Sequence, residues 1–289
     1  MKEANNMKNE EKKYMIEDSQ HKDEVIVSWI ITHCCQEKCA YCISPNQAQE
    51  IKSFEEHLKM QNYMIDNGLT KSRYIGGEPL TVPHLLQLVK EASLRNVNTR
   101  ISTNGILLTK KKLLFIRDYI NSFAFPFESM NSNINEQVRG AKNHSELVTN
   151  RIKMVKDLTD AGVLVNTCVH KENINYLLEL GHHLNELGID HWKLRKFYSG
   201  SGRGAVPNKE RFDISEEEFL RIVDELKEEY PEMKIDGRLP SKLQTRLMLS
   251  PQGILYRMAG EDDSENVIYG NVLTKKLKIK EIYKRDKCN

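Results

Sequence analysis

Two hydrophobic rhythms alternate along the chain. Val25–Thr32 is a nearly unbroken apolar run of strand length. Phe54–Asn67 then places Leu58, Met60, Met64 and Ile65 at helical spacing and stops at Gly68. The pair recurs. Ser72–Ile75 predicts a strand, and Pro83–Leu94 a helix with Leu85, Leu86, Leu88 and Val89 on one face. Asn98–Thr103 precedes Lys110–Tyr119, Ser122–Phe127 precedes His144–Ala161, and Val163–Val169 precedes Ile174–Leu187. Ile189–Phe197 completes the series with Ser215–Glu229, whose Ser215-Glu-Glu-Glu218 start is a capping box.

Six strand-then-helix units with short connections predict an α/β fold with a parallel sheet under helices. Right-handed crossovers curl such a series into a partial (β/α)6 TIM-like barrel, here spanning residues 25–230. After residue 230 the rhythm shortens. Met233–Asp236, Arg246–Leu249 and Ile254–Met258 read as short strands, with Pro251-Gln-Gly253 as a turn. This predicts a small, mostly β C-terminal extension over residues 231–289, with Lys275–Lys287 as a solvated, partly frayed end. Residues 1–24 are charged and poor in apolar residues, which predicts a disordered tail.

Composition narrows the picture. With 289 residues, 39% hydrophobic and 29% charged, the chain is long enough for a sizeable core and polar enough for solution. A net charge of +2 gives no electrostatic footprint for nucleic acid or a membrane surface. No apolar run reaches the roughly 18–20 residues of a membrane span, and the charged start has no apolar signal core. The expected location is the cytoplasm.

Of six cysteines, Cys34, Cys35, Cys39 and Cys42 lie in one short stretch, with Cys168 and Cys288 far away. A disulfide scaffold would spread them. Thiolates suit iron–sulfur clusters and zinc. Zinc wants a fourth ligand, which His33 or Cys34 supplies only by a cramped geometry. The cysteine loop, Gly76-Gly77-Glu78-Pro79 and Asn104-Gly105 each follow a predicted strand. In a barrel of this kind all three fall on the C-terminal rim, where active residues gather.

The spacing Cys35-x3-Cys39-x2-Cys42, with Tyr41 before the last cysteine, resembles the signature of the radical S-adenosylmethionine (radical SAM) superfamily, and the resemblance runs over nearly the whole chain. It implies a 4Fe-4S cluster held by Cys35, Cys39 and Cys42, with Cys34 a bystander. The fourth iron would chelate S-adenosylmethionine. One electron, from a donor such as flavodoxin or ferredoxin, would cleave it, and the 5′-deoxyadenosyl radical would abstract hydrogen from a substrate. Gly76, Gly77 and Glu78 resemble the segment that cradles the cofactor's amino group. Ser102 and Asn104 resemble a strand end facing its ribose or carboxylate. Arg139, before Gly140, is a candidate for the carboxylate, a surface arginine being the rival reading. Tyr41 completes this cofactor-binding set. Glu128-Ser129 stands where the family usually has Ser-Leu-Asp.

Within the superfamily the chain is similar to the branch of MoaA, viperin and the SPASM/Twitch enzymes. Trp192-Lys193, Met248–Tyr256, Tyr269–Val272 and Lys280–Tyr283 carry that likeness. Met258 replaces a cysteine usual in the SPASM tail, so a single cluster is expected. The viperin likeness implies a small polar substrate of nucleotide type, with Lys193, Arg195 and Arg203 as candidates for its anionic groups; solvated rim charges are the bland alternative. Gly200–Gly204 reads as a loop suited to closing over a substrate, or as a linker. Radical modification of a peptide and non-catalytic zinc binding are the other readings.

Overall fold

A computed structural model describes residues 24–44, 51–240, 247–258 and 266–288. The expected N-terminal tail, apart from Glu24, lies outside them. Seven strands, β1 (Ile26–Thr32), β2 (Lys71–Gly76), β3 (Asn98–Ser102), β4 (Ser122–Pro126), β5 (Gly162–Val169), β6 (His191–Lys196) and β7 (Ile235–Arg238), pair in parallel in chain order. β8 (Leu247–Leu249) adds in parallel to the other edge of β1, and β9 (Ile254–Arg257) and β10 (Val267–Asn271) continue antiparallel. The sheet is open, with β10 and β7 at its edges. The region after residue 230 thus feeds both ends of one sheet. β7 extends the parallel series beyond the six expected strands.

Helices α1 (Phe54–Asp66), α2 (Leu85–Leu94), α3 (Lys110–Ile116), α4 (Ser132–Arg139), α5 (His144–Leu158), α6 (Leu177–Glu186), α7 (Lys209–Phe212), α8 (Glu216–Glu229) and α9 (Ile279–Cys288) follow the strands. The expected capping box at Ser215/Glu218 is realised, and a second one, not expected, forms at Ser53/Glu56. α4 was not expected. Its sequence is polar and rich in Asn, yet Asn131 caps its start and Gly140, in the left-handed region at φ 69, ends it. The basic C-terminal end is also more ordered than its composition suggests: α9 buries Ile279 and Tyr283.

Alternation along the strands sorts two faces. Val27, Trp29 and Ile31, then Tyr74, Ile101, Phe123, Phe125, Val163, Val165, Trp192 and Leu194, join helix residues such as Met60, Leu88, Leu113, Ile152, Leu180 and Phe219 in one core. Each fully buried side chain of this kind contributes roughly 1.5–3 kcal/mol. The opposite face is polar. Ser28, Arg73, Arg100 and Ser122 stand in register across β1–β4. Nearer the C-terminal rim come Asn166, Lys193 and Asp236, then Cys168, Arg195 and Arg238. A polar inner face at the rim leaves room for a site rather than for packing. Among the described residues no helix is long and apolar enough to cross a membrane.

Candidate active site

β1 slips register against β2 between Ile30 and Thr32, and the chain then enters the cysteine loop. The Gly77 amide donates to the Thr32 carbonyl at 2.8 Å and the Glu78 amide to the Cys34 carbonyl at 2.7 Å. The end of β2 therefore lies flush against the start of that loop. A Cβ on Gly76 would fall 2.2 Å from the Thr32 oxygen, and one on Gly77 2.2 Å from the Cys34 oxygen. Gly76 also sits at φ +146. Only glycine fits either position.

Glu78 turns inward. Its Oε1 accepts from Thr103 Oγ1 at 2.8 Å and from the Leu80 amide at 3.0 Å, and its Oε2 from the Asn104 amide at 2.8 Å. The carboxylate ties the rim end of β2 to that of β3. Burial pushes its pKa up, and these three hydrogen bonds pull against the shift. Asn104 faces the loop: its Oδ1 accepts from Gln36 Nε2 at 3.1 Å, and its Nδ2 lies 3.9 Å from Cys35 Sγ.

Cys35, Cys39 and Cys42, all half-buried, stand around one cavity of about 250 Å³. Tyr41, Gly76, Gly77, Ser102, Asn104, Arg139 and Arg203 line it too. Amides of Glu37 and Ser44 approach the sulfurs of Cys35 and Cys42, each at 3.4 Å. Such donors favour a thiolate bound to metal. Without metal, burial pushes the Cys39 thiol up to about 12, and Arg139 opposes it.

Behind Cys39 lies a sealed ionic network. Arg139, at the end of α4, reaches Glu37 with Nη2 and, with Nη1, Glu128 at 3.0 Å and the Tyr41 hydroxyl at 2.5 Å. The Tyr41 hydroxyl in turn donates to Glu128, and Glu128 Oε2 accepts from the Cys168 amide at 3.1 Å. Arg139, Glu37 and Glu128 are each at most 4% exposed. Burial raises the pKa of Glu128, with Arg139 pulling it down. Sequence reasoning passed over Glu37 and Glu128 as site residues. Their only signals were an acid inside the cysteine spacing and a Glu at the end of β4.

The basic candidates separate. Arg203 lines the cysteine cavity, its Nη2 on the Glu37 carbonyl at 2.8 Å. Arg195 lines a second cavity of about 260 Å³, with Lys196, Tyr198, Arg238 and Met258, against Tyr41 and Cys42. Lys193 is buried beside Asp236, which bonds His191 at 2.8 Å, and does not border these cavities. A third cavity of about 360 Å³, walled by Ile30, Ile43, Ile75, Met248, Tyr256 and Met258, meets the first at His33 and Gly76. The cysteine loop borders the first two, and its flanks, His33, Ile43 and Ser44, border the third.

Three thiols on a rim loop, a glycine edge beside them and open space in front fit a centre that binds a cluster on one side and a small organic cofactor on the other. The sequence profile of the Radical SAM superfamily matches residues 29–184, more than half of the chain, and the protein belongs to that superfamily. Its members are enzymes that use a 4Fe-4S cluster and S-adenosylmethionine. The S-adenosylmethionine-dependent nucleotide dehydratase of Flammeovirga pacifica is 27% identical over 202 residues, covering 65% of this chain and 68% of that protein. A PqqA peptide cyclase of Bradyrhizobium diazoefficiens is 25% identical over 218 residues, covering 72% of this chain and 55% of that one. The chain thus spans about half the length of the cyclase. In fold it is similar to Streptococcus suis SuiB bound to its precursor peptide SuiA, with a TM-score of 0.75, 13% identity, and coverage of 90% of this chain and 64% of that one.

Proposed function

We propose that Cys35, Cys39 and Cys42 hold the cluster, and that the cofactor lies in the cavity between them and the rim of β2–β5. The supporting observation is convergence: three thiols, the Gly76-Gly77 edge, Ser102 and Asn104 border one cavity. When bound, the cluster and S-adenosylmethionine supply the radical that abstracts hydrogen from substrate. The chain's own residues do the positioning. Gly76 and Gly77 let the backbone come close to the cofactor. Ser102 and Asn104 offer hydrogen bonds from the β3 end. Glu78 keeps β2 and β3 fixed relative to each other from beneath. Arg139 holds Glu37 and Tyr41, and so holds the loop between the thiols. Arg203 presents a cation to the same space. The apolar walls of Ile30, Ile75, Met248 and Met258 keep water from the reacting region.

The substrate is a small polar anion of nucleotide type, received on the side of Arg195, Lys196 and Arg238. A cavity with three cations and no acid among its described lining residues supports this, as does the likeness to a nucleotide dehydratase. The electron comes from a small donor such as flavodoxin or ferredoxin. A peptide substrate is the second reading, favoured by the likeness to a peptide cyclase and to SuiB. Zinc is the third reading: a structural zinc site wants four ligands, and only three thiols border this cavity.

Anaerobic reconstitution tests the assignment. The expected result is about four irons per chain, the content of one cluster, and 5′-deoxyadenosine on reduction. Cys39→Ala should abolish both, and undiminished cofactor cleavage in that variant refutes the ligand set. Deuterium transfer from labelled nucleotides or peptides into 5′-deoxyadenosine distinguishes the two substrate classes.

A further inference from the structure

The eight residues from Cys35 to Cys42 contain no helix or strand. Their carbonyls need donors from elsewhere, since buried backbone groups are rarely left unpaired. One connection, the segment between β6 and α7, supplies donors to three of them, those of Glu37, Ala40 and Cys42. Arg203 Nη2 donates to the Glu37 carbonyl at 2.8 Å, and Asn208 Nδ2 to the Ala40 carbonyl at 3.1 Å. The amides of Gly204 and Ala205 donate to the Cys42 carbonyl at 3.1 and 3.3 Å, and the Arg203 amide to the Ser44 carbonyl at 3.3 Å.

The fit is close. A Cβ on Gly204 would lie 2.4 Å from the Cys39 oxygen, and one on Gly202, at φ +95, 2.3 Å from Ile43 Cα. Beneath this contact sits a small apolar cluster of its own, Val138, Phe197, Ala205 and Phe212, on which Ala40 and Tyr41 pack. The Gly200–Gly204 stretch is therefore a strap fastened over the thiol loop and does not have the free span of a lid. Asn208 closes it, its Nδ2 also bonding the Gly204 carbonyl at 2.9 Å.

We infer that Asn208 is a positioning residue of the metal site: by tying the strap to the loop between the thiols, it presets the spacing at which Cys35, Cys39 and Cys42 receive the cluster. The inference rests on the ligand assignment above. A preset loop keeps its thiols in place at small entropic cost and fixes the amide donors around the sulfurs. Asn208 is half-buried and touches no sulfur, so its effect passes through the loop backbone.

The test compares Asn208→Asp, which keeps the shape but loses the amide donor, and Asn208→Ala with the wild-type chain and with Asn185→Asp at an exposed site on α6. Hydrogen–deuterium exchange is read first on the metal-free chain. Peptides covering residues 37–44 and 203–205 should exchange about fivefold faster in both Asn208 variants, the factor expected for one lost hydrogen bond, with the β1–β6 core unchanged. After anaerobic reconstitution, iron should pass to a chelator faster by a similar factor, and the electron paramagnetic resonance spectrum of the reduced cluster should shift or broaden. Wild-type exchange and iron release in Asn208→Asp would overturn the role, as would faster exchange spread evenly over the sheet. If Asn208→Ala does not fold, Asn208→Asp carries the test. A chain that takes up no iron refutes the ligand assignment, while exchange on the metal-free chain still reads the strap.

Discussion

Two groups of cations flank the cysteine loop, and they are built in opposite ways. Arg139 is enclosed: both Nη atoms are engaged by Glu37, Glu128 and Tyr41, and only Nε lacks a partner. Arg195, Lys196 and Arg238 border an accessible cavity whose described walls carry no acid, although from outside it Asp213 bonds Lys196 at 3.2 Å and Asp236 lies 4.0 Å from Arg238. Arg139 is closed off by its partners, whereas the second group borders open space, which on the proposed reading receives an anionic ligand. Nearness to a site is therefore a poor guide to what an arginine does there; the partners of its guanidinium decide. This favours a scaffold role for Arg139 over direct recognition of the cofactor carboxylate.

The sharpest way to break this contrast is to remove the acid that Arg139 and Tyr41 share. Glu128→Ala leaves a buried cation short of a partner and should cost about 3–5 kcal/mol in chemical denaturation. A loss below 1 kcal/mol would mean that the network is solvated. Acid comes next. Burial holds His170, which packs on Phe212 beside Tyr41, to about 3 against an ordinary 6.5. Below pH 6.5 the unfolded chain binds a proton that the folded chain refuses, so stability falls as the pH drops toward 3. Between pH 6.5 and 5 His170 alone should account for about 1.6 kcal/mol of the fall, His57 and His144 add to it in the same direction, and His170→Phe should remove its own share.

The open wall should respond in binding and not in stability. Arg238→Gln is expected to change unfolding by no more than about 0.5 kcal/mol. It should weaken binding of inorganic tripolyphosphate, measured by calorimetry, by about tenfold, the scale of one charged hydrogen bond. Equal affinity would refute the anion assignment. The smallest effect concerns helix starts. Asn131→Ala and Ser215→Ala should each cost about 1 kcal/mol, but only the former, at the base of α4, should also loosen Arg139 and quicken exchange at residues 37–44.

Much of the fold is legible in the sequence because the buried face of each helix and strand repeats at its own period. Val27, Trp29 and Ile31 on β1 and Leu85, Leu88 and Val89 on α2 all point to the core in the way their spacing implies. Where that signal is weak, the reading falls short. α4 has few apolar residues, and the short strand expected at Met233–Asp236 forms as β7 but joins the parallel series on β6 instead of the C-terminal extension. The grouping of the cysteine and glycine segments is also legible, since each follows a strand and strand ends share a rim. Strand alternation likewise explains why Lys193 and Arg195 share the inner face. What stays hidden is the set of partners. Nothing local to Glu128 or Asn208 says that they meet the cysteine loop, and nothing local to Glu37, inside it, says that it pairs with Arg139, because those contacts depend on the packing of distant units.

The strap has a consequence for how the protein is made. Asn208 bonds a carbonyl 168 residues earlier in the chain. At ribosomal rates the thiols emerge on the order of 10 s before the residue that fixes their loop. Iron meeting the nascent chain in that interval would find three thiols without their final arrangement. On the strap reading proposed above, cluster delivery is expected to follow the docking of the sixth strand and its connection. An assembly factor would recognise a nearly finished barrel and not an emerging peptide.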